Sequence, residues 1–176
     1  MADGGLVFVT VGTTQFDELV AALLRPPALD ALARLGFRRL RIQHGRGAPP
    51  GGVPAACALR VESYAFKPSL AADMDEAALV ISHAGSGSIL EALGRQKPLL
   101  VVVNEALMDN HQAELADELG ARGHLVATRC SGLRRVLDEW DAQREFRPLP
   151  DAQPLPFCAH VDALLGIGSD TREEAR

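Results

Sequence analysis

The sequence predicts an α/β fold built on an open parallel sheet with helices on both faces. Short apolar segments recur roughly every 20 residues, and segments with the period of amphipathic helices lie between them. Residues 6–11 and 98–103 are apolar almost throughout, as strands covered on both faces are. Together these observations indicate successive βαβ units in a Rossmann-like arrangement.

The predicted elements alternate along the chain. The strands are predicted at residues 6–11, 39–43, 58–61, 78–82, 98–103 and 125–127. The helices are predicted at residues 16–24, 28–35, 67–77, 88–95, 110–122, 133–140 and 157–165. Pro26-Pro27 separates the first two helices, and Gly36 is expected to end the second in a left-handed conformation.

The segments outside these elements set the expected domain boundaries. Residues 44–54, rich in glycine and proline, are expected to form a loop, and residues 141–156 an extended crossover. We therefore expect one domain over residues 1–165, followed by a polar tail over residues 166–176.

Composition argues against nucleic-acid-binding, membrane-spanning and disulfide-rich classes of protein. The chain has 176 residues, with 18 lysines and arginines against 23 aspartates and glutamates, and a formal charge of −5. This acidic excess argues against a nucleic-acid-binding module. No apolar segment approaches the ~20 residues of a membrane-spanning helix, and no basic segment precedes the first apolar one. The 3 widely spaced cysteines form neither a zinc pattern nor a disulfide framework, so we expect a cytosolic protein.

Ligands of open parallel sheets bind beyond the carboxyl ends of the strands, so the segments that follow strands are the candidate sites. Gly12-Thr13-Thr14 follows the first strand, where glycine permits a tight turn ahead of a helix. Free N–H groups and the positive end of the helix dipole at such a position suit an anion. The alternative is that Thr14 caps the helix, with Asp17 three residues on.

The segment after the fourth strand is His83-Ala84-Gly85-Ser86-Gly87-Ser88. Glycine lets the backbone approach a phosphate closely, and serine hydroxyls and helix N–H groups can donate to it. The segment lacks the Gly-Lys-Ser/Thr of a P-loop, the third glycine of the dinucleotide fingerprint and the Gly-x-Ser-x-Gly of a hydrolase elbow. Two alternatives stay open: Ser88 and Glu91 have the spacing of a capping box, and His83 could be a satisfied strand-end histidine.

The segment after the fifth strand is also polar. Its candidate residues are Asn104, Glu105, Asn110, His111 and Gln112. Here Asp109 and Gln112 have capping-box spacing, which is the alternative explanation for Gln112. Three polar loops at one edge of a sheet together indicate a site for a diphosphate with a polyhydroxylated neighbour.

The ordered series of segments 7–14, 81–91, 104–105 and 110–112 closely resembles a known family. That family comprises the soluble catalytic subunits of two-component N-acetylglucosaminyltransferases in dolichol-linked oligosaccharide synthesis. Such a subunit is similar to the C-terminal, donor-binding half of a GT-B glycosyltransferase. The similarity spans roughly residues 6–130 and is weaker beyond Cys130.

The resemblance implies a reaction. UDP-N-acetylglucosamine would donate its sugar, with inversion, to dolichyl-diphosphate-N-acetylglucosamine at the cytosolic face of the endoplasmic reticulum. Enzymes of this type generally need no bound metal, and no cofactor is implied.

The resemblance also implies roles for individual residues. Glu91 matches the carboxylate that accepts hydrogen bonds from the ribose hydroxyls, and residues 85–88 match the helix start that faces the diphosphate, with residues 12–14 opposite. His111 and Gln112 match contacts to the donor sugar. The backbone of residues 64–66, ending at Phe66, matches the segment that pairs with uracil. His83 and His111 are both candidates for the catalytic base.

A complete GT-B enzyme has two such domains, and this chain has room for one. We therefore expect a membrane-anchored partner subunit that presents the lipid-linked acceptor. The family suggests residues 157–165 as the contact, where Phe157, Val161, Leu164 and Leu165 recur at helical spacing. The alternative is that these side chains pack on the sheet of their own domain.

Two other classes of function compete with this hypothesis. One is a non-catalytic nucleotide-sugar sensor or scaffold that retains the fold. The other is a different enzyme, either a stand-alone glycosyltransferase with a small acceptor or a nicotinamide-dependent oxidoreductase. The oxidoreductase is disfavoured by the missing third glycine and by Gln43-His44, where an acidic residue should close the second strand.

Overall fold

The computed structural model describes residues 4–52, 54, 57–106, 111–150 and 154–166. Within these residues a 6-stranded parallel sheet has the order β3-β2-β1-β4-β5-β6. Its strands are β1 Leu6–Thr10, β2 Arg39–Gln43, β3 Arg60–Tyr64, β4 Ala77–His83, β5 Leu99–Val103 and β6 Val126–Arg129. The predicted open, parallel, Rossmann-like sheet is confirmed, and the chain reverses its direction of winding between β1 and β4.

Helices cover both faces of the sheet, as the continuous apolar strands predict. They are α1 Asp17–Leu24, α2 Pro26–Arg34, α3 Ala71–Glu76, α4 Ser86–Gly94, α5 His111–Ala121, α6 Leu133–Asp138 and α7 Pro154–Leu164. Val7 and Val9 of β1 pack in the core cluster under α1, α2 and α6, whereas Phe8 packs in the cluster under α3, α4 and α5. Every residue of β1 and of β5 is buried, because both sides of these central strands are covered.

The predicted strand at residues 58–61 is shifted, since β3 runs over Arg60–Tyr64. The apolar pattern stops at Val61, but β3 is an edge strand and tolerates polar residues such as Glu62 and Ser63. The predicted helix at residues 67–77 is also too long. Only Ala71–Glu76 is helical, because the preceding residues form part of a cavity wall.

Several helix ends differ from their predicted positions. The second helix begins at Pro26 rather than residue 28, because proline is tolerated in the first turn. Gly36 follows this helix with φ +91°, which confirms the predicted left-handed end. The last helix begins at Pro154 rather than residue 157, so the extended crossover is shorter than predicted.

Two expectations concern the end of the domain and a membrane-spanning helix. Residues 167–176 lie outside the described residues, so the domain end at residue 165 and the polar tail stay predictions. Among the described ranges, no helix combines the length and the apolar character needed to cross a membrane.

Candidate functional site

A cavity of about 540 Å³ opens at the carboxyl ends of β1 to β4. This volume lies in the range of small-molecule sites. Its lining residues are Gly12, Thr13, Gln43, residues 66–70, His83, Gly85, Gly87, Ser88 and Glu91. The cavity lies where β1 and β4 are neighbours and the chain leaves them in opposite directions, which is the position at which open α/β sheets bind ligands.

The loop after β1 supplies two of the predicted residues. Gly12 has φ +63°, so the tight turn depends on glycine, and its N–H donates to the Thr10 hydroxyl at 3.1 Å. Thr13 lines the cavity beside it. The Thr14 hydroxyl instead donates to the Val11 carbonyl oxygen at 2.8 Å and is absent from the lining. Because α1 begins only at Asp17, the alternative that Thr14 caps this helix is wrong.

The start of α4 presents backbone donors to the cavity. Gly85 is the residue before the helix, and no side chain caps this end. The first N–H groups of a helix have no partner inside it, so those of residues 86–88 are available to an anion. Gly87 and Ser88 line the cavity, whereas Ser86 is exposed outside the lining.

His83 lies between the two glycine loops. It is 7% exposed, a Cβ atom added at Gly12 would lie 2.6 Å from its Cε1 atom, and one added at Gly85 would collide with the ring. Its buried Nδ1 atom has no hydrogen-bond partner within the described part of the chain, but the ring has a hydrogen bond with the Thr10 backbone, so the alternative of a satisfied strand-end histidine stays open. Burial lowers the pKa of His83, so the ring is neutral at pH 7.

Glu91 reaches the cavity from the middle of α4. Because α4 begins at Ser86 and not at the predicted residue 88, Ser88 is an internal helix residue and the capping-box alternative for Glu91 is wrong. The Glu91 carboxylate is half-exposed and lies 3.4 Å from the Arg95 guanidinium, which is the long end of an ion-pair distance. It is therefore available as an acceptor for hydroxyl groups.

Gln43 is a site residue that the sequence analysis did not include. It is 1% exposed, and its Oε1 atom accepts a hydrogen bond from the Thr10 hydroxyl at 2.6 Å. Its Nε2 atom donates to the Gly12 carbonyl oxygen at 2.7 Å and to the Ala65 carbonyl oxygen at 2.8 Å. This one amide joins the loops that follow β1 and β3, a role for which the sequence carries no local signal.

Residues 66–70 form one wall of the cavity, and of these only Phe66 was predicted. Residues 67–70 were not predicted to belong to the site because residues 67–77 were predicted to form a helix. The expectation of metal-free chemistry also took an Asp-x-Asp motif to be absent, and this is wrong: Asp73-Met74-Asp75 has the Asp-x-Asp spacing of metal-binding glycosyltransferases. Asp73 is buried in ion pairs with Arg41 and Lys67, Asp75 pairs with Arg95, and neither lines the cavity. Within the described ranges no cluster of histidine, cysteine and acidic residues could hold a metal ion, and the expectation of metal-free chemistry stays a prediction.

The segment after β5 contributes nothing to the described lining. Asn104 Oδ1 accepts a hydrogen bond from the Ala106 N–H at 3.0 Å, and Glu105 pairs with the Arg129 guanidinium at 2.9 Å. Asn110 lies outside the described residues, as does Asp109. His111 and Gln112 begin α5, but their side chains lie outside the description, so their predicted contacts stay predictions.

Comparison with known proteins agrees with this fold. The pattern of the glycosyltransferase family 28 C-terminal domain matches residues 6–154. The human UDP-N-acetylglucosamine transferase subunit ALG13 is 48% identical over 124 residues, which is 70% of this chain and 11% of the human protein. The Yarrowia lipolytica subunit of the same name is 37% identical over 158 residues, which is 84% of this chain and 78% of that protein. The chain thus spans about a tenth of the length of the human and mouse relatives, whose matches cover 11% and 10% of each protein.

Solved structures show the same architecture. The solution structure of ALG13 superposes with a TM-score of 0.65 at 28% identity, covering 90% of this chain and 94% of that one. The crystal structure of Acinetobacter baumannii MurG gives a TM-score of 0.59 at 21% identity over 79% of this chain and 40% of that one, a likeness of fold alone. From its sequence match and its fold, this chain belongs to the glycosyltransferase family 28 C-terminal domain family, together with the ALG13 subunits.

Proposed function

We propose that this chain is the donor-binding, catalytic subunit of an inverting glycosyltransferase. It moves N-acetylglucosamine from UDP-N-acetylglucosamine to dolichyl-diphosphate-N-acetylglucosamine, at the cytosolic face of the endoplasmic reticulum. The observation that carries the proposal is the convergence of Gly12, His83, Gly85 and Glu91 on one cavity. The name of the relatives, UDP-N-acetylglucosamine transferase subunits, supports the choice of donor.

The start of α4 suits the leaving group of this reaction. The acceptor hydroxyl forms a bond to the anomeric carbon and loses its proton to a base, while the bond from that carbon to the β-phosphate oxygen breaks. UDP leaves with the electron pair, so negative charge grows on the β-phosphate. Oriented N–H groups at Gly87 and Ser88 stabilise such charge without having to reorganise, and they require no metal.

The position of His83 favours a role at the diphosphate. Its neutral ring lies against Gly12 and Gly85, in the two loops that we assign to the phosphates. This assignment leaves His111, at the start of α5, as the candidate for the base.

A partner subunit is part of the proposal, and α7 is its proposed contact. Among the described side chains of this helix all are exposed except Val161, which is half-buried. Phe157 is 69% exposed, Leu164 73% and Leu165 66%. These values argue against the alternative that the helix packs on its own sheet. We propose that the helix binds a membrane-anchored subunit that presents the lipid-linked acceptor.

The first experiment is a transfer assay with UDP-N-acetylglucosamine and a short-chain lipid-diphosphate-N-acetylglucosamine acceptor, in the presence of EDTA. It compares the purified chain alone with the chain added to membranes that lack their own copy of this subunit. We expect transfer only with the membranes. Transfer by the chain alone would remove the need for a partner, and UDP binding without any transfer would favour the non-catalytic sensor. Binding of NAD in competition with UDP would favour an oxidoreductase.

The partner contact has its own test. Replacing Phe157, Leu164 and Leu165 together by serine removes the large exposed apolar side chains of α7 and of the residue that follows it, so we expect the loss of association with the membranes and of transfer. The melting temperature should stay unchanged, because these side chains are exposed in the isolated chain. Leu90→Ser, at a 50% exposed leucine of α4 outside the cavity lining, is the matched control and should associate normally. Association by the triple variant would place the contact elsewhere.

A further inference from the structure

Asp73 is a buried carboxylate that lies behind the cavity and not in its lining. The residue is 3% exposed on α3 and accepts hydrogen bonds from side chains of three different segments. Arg41 of β2 donates through Nη1 at 2.9 Å, and Lys67 donates through Nζ to both oxygens at 2.9 and 2.8 Å. The Tyr64 hydroxyl of β3 donates to Oδ2. A buried carboxylate with this many donors holds the segments that supply them in fixed positions.

The segment that Asp73 holds is the wall of the cavity at residues 66–70. Tyr64 and Lys67 flank the beginning of this wall, and the Lys67 ammonium also lies 4.2 Å from the centre of the Tyr64 ring. The preceding carbonyl, that of Ala65, accepts a hydrogen bond from Gln43. The wall is therefore tied to the sheet on one side and to α3 on the other.

The charge of Lys67 is already balanced. Lys67 is the one cationic residue in the described lining of the cavity, and both oxygens of Asp73 bind its ammonium group. Burial alone would raise the pKa of Asp73, but the hydrogen bonds from Lys67 and Tyr64 hold it below its ordinary value, so the carboxylate is charged at pH 7. Lys67 thus serves to fix the wall, while the diphosphate is left to the start of α4.

The wall at residues 66–70 suits the nucleobase of a nucleotide and not a phosphate group. Phe66, Pro68 and Leu70 offer apolar surface to the cavity, which the glycine loops do not. Resting on the proposed function, we propose that Asp73 is a positioning residue for the donor: through Lys67 and Tyr64 it fixes the wall at residues 66–70 against which the nucleoside of the nucleotide sugar binds.

The test is Asp73→Asn, with Asp138→Asn as the matched control. Like Asp73, Asp138 pairs with two cationic side chains, here those of Arg34 and Arg134, but it lies on α6 and outside the cavity lining. The assay uses the membranes described above, which lack their own copy of this subunit. We expect Asp73→Asn to raise the KM for UDP-N-acetylglucosamine about 10-fold with kcat unchanged, since the charged hydrogen bonds between Asp73 and Lys67 are lost. UDP should bind correspondingly more weakly, whereas inhibition by inorganic pyrophosphate should stay unchanged. The control should match the unmodified chain in all three measurements.

Unchanged or tighter ligand binding by Asp73→Asn would contradict the inference. If Lys67 binds phosphate directly, Asp73→Asn frees its ammonium group, and UDP and pyrophosphate then bind as tightly as before or more tightly, which overturns the inference. A fall in kcat together with weaker pyrophosphate inhibition would show general damage to the site and would also overturn it.

Two further comparisons keep the test decisive. If Asp73→Asn does not fold, Tyr64→Phe removes one donor and keeps the charge pair, so it should raise KM by a smaller factor with kcat unchanged. An unchanged KM in that variant counts against the inference. Failure of the unmodified chain to bind UDP would overturn the proposed function and this inference together. Equally tight UDP binding by the unmodified chain and by Asp73→Asn would overturn the inference alone.

Discussion

The two ends of the sheet carry cavities of opposite character. The cavity at the carboxyl end is lined by glycines, hydroxyl groups, His83 and Glu91. The cavity at the amino end, of about 340 Å³, is lined mainly by apolar and aromatic residues that include Phe37, Trp140 and Phe146. In parallel βαβ units the free N–H groups of the helix starts face the carboxyl end, so only that end offers these backbone donors to an anion. The carboxyl end therefore presents polar groups and backbone donors, whereas the amino end presents mainly apolar surface.

The largest expected effect at the carboxyl end is that of Gly85→Ala. The added methyl group would collide with the His83 ring, so either the ring or the start of α4 must move. We expect kcat/KM for transfer to fall about 100-fold, the cost of a small misplacement of reacting groups. Steady-state assays with partner membranes measure this value.

Gly94→Ala is the control on the same helix. Nothing lies within 4 Å of a Cβ atom at Gly94, so transfer should be unchanged and the helix slightly more stable. If both variants were equally active, the contact between Gly85 and His83 would have no part in catalysis.

Glu91→Gln tests whether the carboxyl-end cavity binds the ribose of the donor, and its expected effect is smaller than that of Gly85→Ala. Removing the charge weakens the proposed hydrogen bonds from the ribose hydroxyls, so we expect KM for UDP-N-acetylglucosamine to rise about 10-fold. Glu118→Gln, which breaks an exposed pair with Arg122 on α5, should leave KM unchanged. Equal KM values for the two variants would remove Glu91 from the donor site.

Trp140→Ala tests the amino end and should have no effect on transfer. Trp140 packs against the core cluster beside α6, and its ring centre lies 6.1 Å from that of Phe146. Because the side chain is half-buried, we expect the free energy of unfolding to fall by about 2 kcal/mol, measured by urea denaturation. Phe157→Ala, at an exposed aromatic residue, should leave that free energy unchanged. A loss of transfer by folded Trp140→Ala would show that the two ends are coupled.

The sequence predicts the centre of the fold better than its edge. The strands β1, β2 and β5 lie at or within one residue of their predicted positions, because buried strands require apolar residues that the pattern shows directly. The edge strand β3 is shifted, since the polar residues Glu62 and Ser63 interrupt the apolar pattern; Ser63 is exposed, and the Glu62 carboxylate accepts a hydrogen bond from Arg41 of β2. The start of α4 is likewise set by the turn at Gly85, although Ser88 and Glu91 have the spacing of a cap.

For the site, the glycine loops and the polar residues that follow β1 and β4 can be predicted from the residues alone. These depend on local chemistry, since a tight turn and an approach to phosphate each require glycine. The hydrogen bonds of Gln43 to two loops, and of Lys67 to Asp73 behind the cavity wall, are visible only in the folded chain. Gln43 is 31 residues from Gly12 and 22 residues from Ala65 along the chain, so no sequence period connects them. Such contacts exist only once the parallel strands place their ends side by side.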